Sequence, residues 1–273
     1  MDGLESVMWL GGPPGAGKST VARLLARRRG LRWYNADAHT WDHRDRAITA
    51  GCPAAIRYEE MSIPDRWSAP LADRLAMSLH DIRGHMVLDD VRALPPAPLT
   101  IAEGTPITPQ VARGPALWLV PTPQLQRDRL NERDLLPGVR DLYEHLGDEI
   151  AAEVEQFGGR TVVVDASCSV EEVVAEVEDH FAELLAHGPV ATGRAERQQL
   201  LRYANRAFVA QYQTFFTRSW ARALGSTSDV VLSFSCECAR DGCEEQVDLA
   251  VADFPVPPDD TSPPLLAADH SPP

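Results

Sequence analysis

Ser6-Val7-Met8-Trp9-Leu10-Gly11-Gly12-Pro13-Pro14-Gly15-Ala16-Gly17-Lys18-Ser19-Thr20 is a short apolar run followed by a glycine-rich turn. Val21-Ala22-Arg23-Leu24-Leu25-Ala26 continues it with apolar residues at helical spacing, so the order is strand, loop, helix. Gly12, Gly17, Lys18 and Ser19 fit G-x-x-x-x-G-K-[ST], and Gly15 adds a point where the backbone bends without a Cβ clash. Backbone N–H groups of such a loop and the N-terminus of the following helix wrap a phosphate. Lys18 is also the only lysine among the 26 basic side chains, the other 25 being arginine. Arginine-heavy usage is what a GC-rich genome gives, and this one lysine resisted replacement.

The chemistry implied is binding of ATP with Mg²⁺, with Gly12, Gly15, Ala16, Gly17, Lys18, Ser19 and Thr20 as the nucleotide contacts. Lys18 reaches the β- and γ-phosphates and the Ser19 hydroxyl ligates Mg²⁺. The motif gives nucleotide binding and does not by itself name a reaction.

Further strands read at Leu31–Asn35 ending at Asp37, Leu99–Ala102 ending at Glu103, Ala116–Val120, and Thr161–Val164 ending at Asp165. Helical patterns at 71–94 and 170–185 lie between or after them. This alternation predicts an α/β fold with a parallel, doubly wound sheet, whose ligands sit beyond the carboxyl ends of the strands. Met86-Val87-Leu88-Asp89-Asp90 reads as helix, with both acids on a solvated face. Ser169 and Glu172 form a capping box.

Over residues 5–187 this order of elements resembles the small P-loop kinases: adenylate, shikimate and gluconate kinases and chloramphenicol phosphotransferase. The P-loop is the one specific motif in the resemblance. It implies that Asp37 faces the acceptor hydroxyl as base or orienting group; the alternative is that Asp37 caps the helix starting near Thr40. It implies that Glu103 approaches the Mg²⁺ through water, against a reading as a plain turn acid. It implies a lid over 121–133 in which Arg129 and Arg133, more than Arg127, close on the phosphates; an exposed helix surface is the other reading. The loop at Asp165-Ala166-Ser167 would lie near the adenine. No adenylate-kinase acceptor-site signature and no sugar-acid or shikimate clamp is read. Instead Trp33, Tyr34, Trp41 and Trp67 supply aromatics, and His39, His43 and Arg46 polar groups, around the expected acceptor position.

The expected organisation is a kinase-like domain over 1–187, a linker at 188–195, a helix with a cysteine-containing β-hairpin over 196–253, and a disordered proline-rich tail over 254–273. In the helix, Leu200, Leu201, Ala204, Phe208, Tyr212, Phe215 and Phe216 make a packing stripe. The segment Phe234 to Cys243 resembles a short module of actinobacterial proteins with a Phe-x-Cys-x-Cys-x4-Cys core and a later histidine, here His270. Cys236, Cys238, Cys243 and His270 would complete a tetrahedral Zn²⁺ site; reduced free cysteines are the competing reading.

The formal net charge of −14 argues against nucleic acid or anionic membrane as partner, and favours a small molecule. Five cysteines, an odd number, suit a reducing compartment, and no export or membrane-spanning segment is read, so the expected location is the cytoplasm. The leading expectation is a phosphotransferase acting on a hydroxyl-bearing small molecule. The alternative is an ATP-binding or hydrolysing switch whose cysteine module engages a protein partner.

Overall fold

In the computed structural model, residues 4–133, 135–255 and 262–272 are described. Among these residues seven strands run: β1 Val7–Gly11, β2 Arg32–Asn35, β3 Thr100–Glu103, β4 Ala116–Pro121, β5 Arg160–Val164, β6 Val231–Ser235 and β7 Gln246–Ala250. The helices are α1 Lys18–Arg29, α2 Thr40–Thr49, α3 Pro53–Glu60, α4 Ile63–Ser68, α5 Leu71–Ser78, α6 His80–Ala93, α7 Pro123–Asn131, α8 Pro137–Phe157, α9 Val170–His180, α10 Ala182–His187 and α11 Arg194–Phe216.

Strands β1 to β5 form one parallel sheet in the order β2-β3-β1-β4-β5. Alternation along each strand supplies two cores. Met8, Leu10, Trp33, Ile101, Leu117 and Leu119 pack with α1 and α9, whereas Val7, Trp9, Tyr34 and Ala102 pack with Val87, Leu88 and Val91 of α6. Ile150 and Val154 of α8 cover Trp118 on the second face. The fold is therefore the expected α/β arrangement, a parallel sheet with helices on both faces. Because all five strands run the same way, their carboxyl ends share one edge, and that edge carries the P-loop, Asp37 and Glu103.

Strands β6 and β7 pair antiparallel as a hairpin, with Val231 opposite Ala250 and Ser235 opposite Gln246. Helix α11 is the wall between the two sheets: Ala204 belongs to the first core, Val209 to the hairpin core with Phe234, Val251 and Phe254, and Phe208 touches both. Its aromatic stripe is thus a packing face, with Phe208 against Trp33 at 5.7 Å between ring centroids.

Four expectations are corrected. The periodic stretch 71–94 is two helices, because Leu79 takes φ 61°, a left-handed conformation that its side chain does not advertise. Asp90 is not on a solvated face: its carboxylate receives bonds from Tyr34 Oη at 2.6 Å and His43 Nε2 at 2.7 Å and pairs with Arg46. Stretch 188–195 is no free linker, since Pro189 O accepts from Leu99 N at 2.7 Å and Ala191 N donates to Gly30 O at 2.8 Å. The tail is ordered over 262–272: Leu265 is buried, and its carbonyl accepts from Glu237 N at 2.7 Å. Backbone bonding to the hairpin, which composition does not reveal, outweighs the proline content there. The rest of the expected disordered stretch includes 256–261 and 273, outside the described residues. Among the described residues no helix is long and apolar enough to cross a membrane.

Candidate functional site

The phosphate loop runs from the end of β1 to the start of α1. Gly12 has φ 132°, and a Cβ there would collide with Leu119 O of the neighbouring strand. Gly17 has φ 93° at the N-cap of α1 and supplies no side-chain cap, so the first N–H groups of the helix stay open to an anion. Lys18 is only 5% exposed and donates from Nζ to Pro13 O at 2.9 Å. Burial pushes its pKa down, while Glu103 and Asp37 pull it back up. Ser19 and Thr20 face open space beside it.

Glu103, at the end of β3, is fully buried. Ser19 and Trp33 stand near enough to favour its charge, but neither meets hydrogen-bond geometry, and both carboxylate oxygens lack a bonded partner among the described residues. Burial raises its pKa from the ordinary 4.5 to about 7, with Lys18 the main opposing influence. An orphaned buried carboxylate beside a hydroxyl and a phosphate loop fits a hard cation held directly or through water.

A carboxyl raised in this way favours the protonated folded state. The stability it contributes is complete below 4.5 and lost as pH rises through about 7. His39, His43 and His80, pushed down chiefly by burial, act in the opposite sense. The readout is therefore the stability difference between Glu103→Gln and wild type, free of metal and nucleotide, in urea melts across this range. The Gln variant should gain relative to wild type as pH rises; a difference independent of pH would show that Glu103 titrates normally.

Asp37 lies in a 3₁₀ turn after β2, its side chain 55% exposed. Asn35, not Asp37, caps that turn, accepting from Asp37 N at 2.8 Å and Ala38 N at 3.2 Å. The cap of α2 is His39, with no side-chain bond, so the capping alternative for Asp37 falls away. Two residues not singled out from the sequence hold the loop. Buried Arg83 of α6 donates to Ala36 O at 2.6 Å and Thr40 Oγ1 at 2.9 Å, and its guanidinium is 3.8 Å from Asp37 Oδ1. Gln211 of α11 donates to Asp37 O at 2.8 Å and accepts from Trp41 N at 3.1 Å.

On the other side of the loop, α7 brings Arg129 Nη1 to Gly15 O at 2.8 Å. A cavity of about 440 Å³ is lined there by Gly15, Ala16, Gly17, Thr20, Val21, Arg129 and Arg133, together with Val164, Cys168 and Val173. Arg127 points elsewhere, to Gln124 Oε1 at 3.1 Å. Asp165 is exposed and bonded to its own loop at Ser167; the residues flanking that loop, Val164, Cys168 and Ser169, border this cavity, whereas Asp165, Ala166 and Ser167 do not line it.

A second cavity, of about 500 Å³, opens from the same loop. Lys18, Asp37, Arg83 and Arg133 line it together with Trp41, Tyr58 and Trp67, and with Val139, Leu142 and Leu146 of α8. The histidines expected there are elsewhere. His39 stacks on Tyr34 at 4.6 Å, and His43 is fully buried against Asp90. Burial of Asp90 is outweighed by its bonds to His43, Tyr34 and Arg46, which hold its carboxyl at about 2. These groups form a polar plug under β2 and do not line this second cavity.

At the hairpin, Cys236, Cys238, Cys243 and His270 place one ligand atom each within 4.8 Å of one another. His270 Nδ1 is 3.3 Å from Cys236 Sγ and 3.7 Å from Cys243 Sγ. The thiols accept from Ala267 N at 3.3 Å and Arg240 N at 3.5 Å, donors of the kind that steady thiolates around a metal. Arg27 of α1 bonds the carbonyls of Cys243 and, at 2.8 Å, Cys236. The three-sulfur, one-nitrogen donor set, closed and largely buried, fits structural Zn²⁺.

No family model and no curated protein matches the chain. Solved structures similar to it include a shikimate kinase from Acinetobacter baumannii in complex with shikimate, at 18% identity over 65% of this chain and 93% of that one, TM-score 0.42. A gluconokinase from Sinorhizobium meliloti matches at 16% identity over 67% and 95%, TM-score 0.38. A deoxyadenosine kinase from M. mycoides matches at 13% identity over 65% and 99%, TM-score 0.40.

Proposed function

We propose that the chain is an ATP- and Mg²⁺-dependent phosphotransferase acting on a hydroxyl-bearing small molecule. The observation that carries this reading is that Lys18 of the phosphate loop and the carboxylate of Asp37 open into one cavity with aromatic and apolar walls. A bare ATPase needs no such second chamber.

In this reading the acceptor hydroxyl oxygen attacks the γ-phosphorus, the bond to the β,γ-bridging oxygen breaks, ADP leaves, and the hydroxyl proton passes to Asp37. Arg83, 3.8 Å from the Asp37 carboxylate, orients that side chain, while Gln211 fixes the backbone beneath it. Lys18, Arg129 and Arg133 balance charge on the transferring group. Ser19 and Glu103 would hold Mg²⁺, which when bound neutralises phosphate charge. Tyr58, Trp67 and Leu142 exclude water that would otherwise compete with the acceptor.

The test is incubation of purified protein and Mg·ATP with pooled cell metabolites, scoring new phosphate esters by mass spectrometry. A phosphorylated product is expected; tight ATP binding with none from any pool would instead make the protein a nucleotide-dependent switch. Asp37→Asn should lower phosphoryl transfer by about a hundredfold or more with ATP affinity held, since the amide cannot take the hydroxyl proton. Equal losses in ATP binding and transfer would take Asp37 out of the acceptor role.

Zn²⁺ in the Cys236, Cys238, Cys243 and His270 cluster would have a structural role, tying residues 262–272 to the hairpin. Purified protein should carry about one equivalent of zinc, and chelation should lower its melting temperature by several degrees. Metal-free protein with an unchanged melting curve would leave the cluster as reduced thiols.

A further inference from the structure

Arg44 of α2 and Arg66 of α4 line the acceptor cavity and are 4% and 1% exposed. Each spends one Nη2 on a backbone carbonyl, Arg44 on Met77 O at 2.7 Å and Arg66 on Met61 O at 2.8 Å. Arg44 Nε and Nη1 and Arg66 Nε are buried with no hydrogen-bond partner among the described residues. Neither guanidinium has a carboxylate within ion-pair distance there. The nearby acids Asp45 and Glu59 are both taken by Arg218, at 2.6 and 3.0 Å. Both cations lie instead against one ring, with the Arg44 and Arg66 Cζ atoms 3.7 and 4.0 Å from the centroid of Tyr58.

Stacking on an aromatic face recovers part of the lost hydration, and the unused N–H groups recover none. Buried charges in proteins are paired, so two unneutralised cations beside one ring call for an anion from outside. Burial pushes Arg44 down only to about 10, so it is still cationic at neutral pH. The wider cavity says the same: Lys18, Arg44, Arg66, Arg74, Arg83 and Arg133 line it against Asp37 as the sole acid among the described lining residues. The chain as a whole has a formal net charge of −14. Phosphates of a nucleotide account for Lys18 and Arg133. Arg44 and Arg66 stand on helices that carry no part of the phosphate loop.

We propose that the phosphoryl acceptor is itself an oxyanion, a hydroxyl-bearing carboxylate or phosphate compound with an apolar or ring body, held by Arg44 and Arg66 against Tyr58, Trp41 and Trp67. This rests on the phosphotransferase reading and names the class of its substrate. The planar guanidinium fork suits a carboxylate or phosphate group, and the apolar walls favour a compact body over a long, heavily hydrated chain.

The test separates a metabolite extract by ion exchange into anionic, neutral and cationic fractions, each incubated with the full chain and Mg·ATP and scored for new phosphate esters. Product from the anionic fraction is expected. Product only from the neutral or cationic fraction overturns the inference and leaves the phosphotransferase standing; no product from any fraction overturns both. With the acceptor in hand, Arg44→Gln and Arg66→Gln should each raise its KM by about tenfold or more, with the KM for ATP within about twofold. Arg44→Lys, keeping the charge, should recover part of the loss. An unchanged acceptor KM, or equal changes for acceptor and ATP, would assign these arginines to packing.

Discussion

Lys18→Ala is expected to lower phosphoryl transfer about 100- to 1,000-fold, the scale of losing one preorganised charge at a transferring group. The fold should survive it. Lys18 is the principal influence lowering the pKa of buried Glu103, so without the ammonium that carboxyl rises further above 7 and stays protonated at neutral pH. With the ammonium gone and the carboxyl protonated, no new uncompensated charge is left in the interior. A melting temperature within a few degrees of wild type, with turnover nearly abolished, is the expected combination. Unchanged turnover would end the phosphate-loop assignment. A collapsed melting curve would instead make Lys18 structural.

The largest expected loss of stability lies far from the cavity. Glu237 is fully buried and accepts from Arg202 Nη2 at 2.7 Å and Nε at 3.0 Å, from Asn205 Nδ2 at 2.9 Å and from Leu265 N at 3.0 Å. Glu237→Ala leaves Arg202 buried with only the carbonyls of Ser262 and Pro263 to bond among the described partners. Breaking one side of such a pair costs about 3–5 kcal/mol. It also frees the segment that carries His270, so zinc content should fall in parallel. Arg202→Met with Glu237→Leu should recover most of the stability in urea melts, because the charge disappears from both sides. A Glu237→Ala variant within about 1 kcal/mol of wild type would show that the pair is solvated in solution.

The sequence made the phosphate loop legible because its chemistry needs fixed residue types at fixed spacing, and backbone geometry at Gly12 and Gly17 enforces them. Asp37 and Glu103 were legible at one remove, since a parallel sheet brings every strand end to one edge. Arg44, Arg66, Arg83 and Gln211 were not. Their roles depend on how α2 to α6 and α11 stack, and Gln211 meets Asp37 across 174 positions of chain. Nothing local to an arginine in an arginine-rich chain marks which one ends up buried and unpaired. His43 shows the converse. A histidine near a binding loop invites a ligand role, but helical phase turns it inward to Asp90, which Tyr34 of β2 also bonds. The ordering of 262–272 was hidden for a related reason: Glu237 and the cysteines supply the partners, and the proline-rich segment itself does not announce them.

Since Lys18 is the chain's one lysine, its Nζ is the molecule's single side-chain amine. Its burial, which pushes the pKa down, leaves more of the neutral nucleophile at ordinary pH than a surface lysine would offer. An amine-directed acylating reagent small enough to enter the cavity therefore has one side-chain address in the molecule. The mass of one tag, gained or withheld, becomes a direct count of vacant phosphate loops.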